Sequence, residues 1–111
     1  MPLRNQNKTM RRLADRQETK VSKSLGCKKT AGSGCAFNAK GDFVSDIHRG
    51  ECKITGHEQI TMKRVVLDKI TDEALKTDKK PCLVFGFNFD EDTNKMWVAI
   101  PFNDFVGMYY E

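Results

Sequence analysis

The sequence predicts an α/β (α+β) domain with a mixed central β-sheet flanked by helices, in the order α-β-β-α-β-β-α. Three observations carry that prediction. Apolar side chains recur at helical spacing over residues 10–25 and again from about residue 58 to 77. Between these helices lies a short hairpin, residues 42–47 and 49–54, whose turn is expected at His48, Arg49 and Gly50. Residues 82–89, CLVFGFNF, are apolar on both faces, which suits a central strand covered by helices on each side. The chain has 111 residues, and domains run at roughly 100–200 residues each, so one core is expected.

The elements follow in order. Residues 1–9 are polar and are expected to form a flexible N-terminus ahead of a single domain, residues 10–111. The first helix, MRRLADRQETKVSKSL, sets Ala14, Glu18, Val21 and Leu25 on one face, and Gly26 supplies its stop. The next segment contains Gly32, Ser33, Gly34 and Gly41 and is too glycine-rich for a regular element. After the hairpin, Thr55 and Glu58 have capping-box spacing. The second helix is therefore expected from there, with Met62, Val66, Ile70 and Ala74 as its apolar stripe and Lys79, Lys80 and Pro81 as its end. In the 82–89 strand, Leu83, Phe85, Phe87 and Phe89 share a face. An acidic turn, a strand over 96–102 (MWVAIPF) and a short final helix complete the chain; Asn103 is its expected cap, and Phe105, Val106 and Tyr109 are its apolar residues.

Net charge is +4, but it is unevenly placed. Residues 1–40 hold ten Lys/Arg against two acids, whereas residues 41–111 hold nine against thirteen. A basic front on a weakly acidic body points to a polyanion, most simply nucleic acid; the competing account is a solvated basic tail. The candidate DNA-phosphate contacts are Arg11, Arg12, Arg16, Lys20, Lys23, Lys28, Lys29 and Lys40. Few aromatics accompany them, which argues against stacking on single-stranded bases. Cysteines stand at 27, 35, 52 and 82 with no C-x-x-C pair, and His48 and His57 complete no zinc pattern. The N-terminus has no apolar stretch of the secretory kind, so reduced thiols in the cytosol are expected. No apolar run approaches the ~18 residues of a membrane-spanning helix.

The chemistry concentrates in Asp42, Glu51, Cys52 and Lys53. Side chains alternate along a strand, so Glu51 and Lys53 point to one face, about 6.5–7 Å apart. Asp42, at the entrance of the neighbouring strand, can reach that face too. Carboxylate oxygens suit a hard cation such as Mg²⁺. The Cys52 backbone carbonyl could add an oxygen, and a lysine nearby can stabilise charge developing on a phosphoryl group. On these residues alone, a surface salt bridge from Lys53 to Glu51 or Asp42 is the competing account.

Glu18 on the first helix, Ala31-Gly-Ser-Gly34, Lys40-Gly-Asp42 and Glu51-Cys-Lys53 together resemble the PD-(D/E)XK nuclease superfamily. Within it, the archaeal-type and phage-type Holliday junction resolvases are most similar. The resemblance covers roughly residues 11–103; Gly41 stands where a proline is common. It implies a restriction-endonuclease-like core and Mg²⁺-dependent endonuclease activity on branched or double-stranded DNA, with Mn²⁺ able to substitute. Asp42 and Glu51 match the metal-binding carboxylates, Lys53 the catalytic lysine, Glu18 the helical acid that completes the metal site in several branches, and Ser33 a loop serine near the scissile phosphate. Asp46 is a further acid in the hairpin. Paired cuts across a junction imply a homodimer, and the resemblance places the protein in the cytoplasm of a bacterial or archaeal cell, phage-encoded in one version. The alternatives are another nuclease of the same superfamily, serving repair or phage replication, or a non-catalytic basic nucleic-acid-binding protein.

Overall fold

The computed structural model describes residues 2–26, 36–37, 42–87 and 95–111. The elements are α1 (Pro2–Ser24), β1 (Ala36–Phe37), β2 (Asp42–Val44), β3 (His48–Thr55), α2 (Arg64–Lys76), β4 (Lys80–Phe87), β5 (Trp97–Ala99) and α3 (Phe102–Tyr109). The strands form one mixed sheet in the order β1-β2-β3-β4-β5, parallel only between β3 and β4. The α/β (α+β) class and the predicted order of elements hold, with β1 as an additional two-residue strand. No helix among the described residues is long and apolar enough to cross a membrane.

Several boundaries move. The first helix begins at Pro2 rather than at residue 10, so residues 2–9 belong to it. Its buried stripe is Leu13, Gln17 and Val21, and Leu25 is exposed. The hairpin turn lies at 45–47, not at 48–50. There the buried Ser45 accepts from the His48 N–H through its hydroxyl (3.0 Å) and donates its own N–H to the His48 carbonyl (2.7 Å). The capping box does not form. The Thr55 hydroxyl accepts instead from the His57 N–H, and α2 starts at Arg64 behind Lys63. Gly56 and the branched Ile60 and Thr61 favour extended backbone over a helical first turn, which leaves Met62 ahead of the helix. The helix α2 ends at Lys76, and Pro81 is already in β4. Pro101, not Asn103, precedes α3. Phe89 lies outside the described residues.

Each face of the sheet has its own helix. On one side, Gln17 of α1 donates to the Lys53 carbonyl at 2.8 Å, and its amide would lie 3.7 Å from a Cβ placed on Gly86. That side carries Phe43, Gly50, Cys52, Cys82 and Val84 by strand alternation. On the other side α2 inserts Ile70 and Ala74 over Leu83. Burial of Phe43, Leu83 and Ile70 contributes about 1.5–3 kcal/mol each. Strands β3 and β4 come so close at Gly50 that a Cβ there would sit 1.8 Å from the Cys82 carbonyl oxygen.

Candidate active site

The antiparallel pairing of β2 with β3 sets Asp42 directly opposite Glu51. Residues opposite one another in a sheet share a face, so the two carboxyls stand side by side on the α2 side, where Asp42 Oδ1 is buried. Burial, then the neighbouring Asp42 carboxyl, push the Glu51 carboxyl above its ordinary range, against the pull of Lys69. Lys69, on α2, lies 3.4 Å from Glu51 Oε1 and 3.9 Å from Glu73 Oε1. Arg49 reaches Glu73 at 4.0 Å. The pair thus sits under a lattice of charges that α2 supplies.

Lys53 follows Glu51 on the same face, as the E-x-K spacing requires. Its Nζ donates to the Thr61 carbonyl at 2.8 Å, in the segment that leads into α2. This backbone oxygen fixes the ammonium without neutralising it. Lys63 and Arg64 follow Thr61 in the chain and are exposed.

Glu18 is not brought to the carboxylate pair. It sits on α1, and its acid range is raised by burial and by Asp15. Its charge acts on Cys52, the β3 residue whose side chain faces away from Glu51. Glu18 therefore stands across the sheet from Asp42 and Glu51, because α1 covers the opposite face. No group of three His, Cys, Asp or Glu side chains able to hold a metal occurs among the described residues. Asp46 is in the exposed turn and offers its backbone carbonyl to Lys79 at 2.8 Å. The Cys52 thiol is pushed up to about 12, mainly by burial and then by Glu18 and Cys82, and burial alone pushes Cys82 to about 12. Both are free, uncharged thiols.

Of the basic residues, Arg11, Arg12, Arg16 and Lys23 are exposed on α1 and Lys20 is half-buried. They belong to the helix on the far face from the carboxylates. Lys28, Lys29, Ser33 and Lys40 lie outside the described residues, as do Cys27 and Cys35. Sequence reasoning missed Lys69. Its signal was its place on α2 one turn before Glu73, but nothing local tells that α2 covers Glu51 rather than Cys52.

The arrangement fits a hard divalent cation. Asp42 and Glu51 stand opposite one another on one face, and Mg²⁺ characteristically takes one or two carboxylates and keeps waters or phosphate oxygens. Asp42 and Glu51 would hold it, with the Cys52 carbonyl as a further oxygen. In comparisons with known proteins, no family model, no curated protein and no solved structure matches this chain.

Proposed function

We propose that this chain is a Mg²⁺-dependent, structure-selective DNA endonuclease with a restriction-endonuclease-like core, and specifically a Holliday junction resolvase acting as a homodimer. The observation that carries the reading is the register that opposes Asp42 to Glu51 with Lys53 next on the same face. The order of parts supports it as well: a mixed sheet covered on both faces, with the acidic pair on the hairpin that precedes the crossover helix. A bound Mg²⁺ polarises a phosphodiester and acidifies a coordinated water. Asp42 and Glu51, opposite one another on β2 and β3, are its ligands in this reading. Lys53, held by the Thr61 carbonyl, presents a fixed ammonium to the phosphoryl oxygens. Exposed Lys63 and Arg64, next to the segment that holds Lys53, supply phosphate contacts that give affinity without base readout. In this reading Glu18 is not a ligand, and the acidic site consists of Asp42 and Glu51.

The test is cleavage of a synthetic four-way junction against linear duplex, with Mg²⁺ or EDTA, mapped on all four strands. Glu51→Gln and Lys53→Ala are each expected to lose at least ~100-fold in rate while still binding the junction. Metal-independent cleavage, or full activity in both variants, would reject the assignment. Junction binding without any cleavage by the wild type would favour the non-catalytic binding protein.

A further inference from the structure

We propose that Lys69 is the resident counterion of the carboxylate pair: it must release Glu51 when the pair holds a divalent cation, and it is then offered to the DNA phosphate. The inference rests on the reading of Asp42 and Glu51 as metal ligands. Lys69 touches a proposed ligand oxygen itself, at 3.4 Å from Glu51 Oε1. A metal-bound carboxylate oxygen and an ammonium compete for the same lone pairs, so both cannot be held there without mutual repulsion.

Three features make Lys69 suited to leaving. Its side chain is 53% exposed, so a freed ammonium reaches solvent without crossing protein. It has a second carboxylate in Glu73, one helical turn on, which can retain it when Glu51 is withdrawn. An exposed ion pair of this kind is also weakly held. Lys53 contrasts with it in its partner. Its ammonium is bound to the Thr61 backbone carbonyl, an oxygen no ligand of the carboxylates disputes. The two lysines therefore divide the work: Lys53 is fixed, and Lys69 is exchangeable.

The experiment measures Mg²⁺ binding calorimetrically on the full chain without DNA, and junction cleavage separately, for wild type, Lys69→Met and Lys69→Arg. Lys69→Met keeps the apolar stem and removes the competing charge. It is expected to bind Mg²⁺ roughly three- to tenfold more tightly and yet to cleave more slowly at saturating Mg²⁺. Lys69→Arg is expected to stay near wild type in both. Tighter binding with slower cleavage is a combination that a merely structural lysine does not give, and circular dichroism of each variant checks folding. Unchanged or weaker Mg²⁺ affinity in a folded Lys69→Met, with wild type binding normally, overturns the inference alone. A wild type that takes up no Mg²⁺ overturns the underlying reading as well.

Discussion

At the scale of single residues, what could be read from the chain was whatever depends on near neighbours. The shared face of Glu51 and Lys53 is legible because alternation along β3 is a short-range matter, whereas the register that sets Asp42 opposite Glu51 is not, since the turn expected at 48–50 lies at 45–47. The side of the sheet that Glu18 takes, and the reach of Lys69 to Glu51, are not legible, because helical spacing shows which residues share a face and not which side of a sheet that face will cover. Gln17 was hidden for a different reason: a buried polar group breaks an apolar stripe, and only the Lys53 carbonyl that satisfies it explains its place. His48 adds a residue-level expectation. Burial and Lys80 lower its pKa from 6.5, with Asp104 opposing. The unfolded chain therefore takes up the proton first, and the contribution of His48 to stability is lost as pH falls from about 6.5 toward the lower folded value. Urea unfolding at pH 7.5 and pH 5.5 is expected to show a smaller acid loss in His48→Gln than in wild type. Equal losses would remove His48 from the account.

At the scale of elements, periodicity located α2 and β4, but end signals competed with tertiary contacts. Thr55 and Glu58 had the spacing of a cap, yet β3 runs on through Thr55 because it pairs there with Phe87. The turn shifted to 45–47 because His48 already pairs with Lys80. The β3–β4 pairing also depends on one glycine. In Gly50→Ala the new methyl would meet the Cys82 backbone carbonyl at 1.8 Å, and neither backbone can yield without separating the strands. The expected loss is ~1–3 kcal/mol or more, read from the urea midpoint. Where Asp42 and Glu51 hold Mg²⁺ as proposed, its binding should weaken with the strands, since Gly50 precedes Glu51. A midpoint within error of wild type would show that the strands part freely.

For the whole molecule, the informative feature is an apolar surface that nothing in the chain covers among the described residues. Helix α3 buries none of its residues. Phe102 is 75% exposed, Tyr109 68%, and Trp97 on the neighbouring edge strand β5 63%. Aromatic side chains carry about 150–250 Å² each, so α3 and β5 together approach the ~800 Å² per partner of a stable interface. On the proposed reading as a junction resolvase, paired cuts need a second copy of the chain there, through a two-fold contact that sets like against like. Light scattering at micromolar protein is expected to report a dimer, and Phe102→Asp with Tyr109→Asp a monomer that nicks junctions without pairing its cuts. A monomeric wild type would reject α3 and β5 as a dimer interface and count against the homodimer.

The opposition of Asp42 to Glu51 has a consequence for the route to the native state. The two acids are separated by a single short hairpin, and closing so small a loop costs little chain entropy. They are therefore expected to meet early, before the β3–β4 crossover has formed and before a counterion from α2 is in position. Like charges forced together at that stage raise the barrier itself rather than only the final state. Asp42→Asn is accordingly expected to refold faster than wild type in stopped-flow experiments without Mg²⁺, with its unfolding rate nearly unchanged. If only the unfolding arm of the chevron moves, the hairpin closes after the rate-limiting step, and the carboxylates first meet on the native side of the barrier.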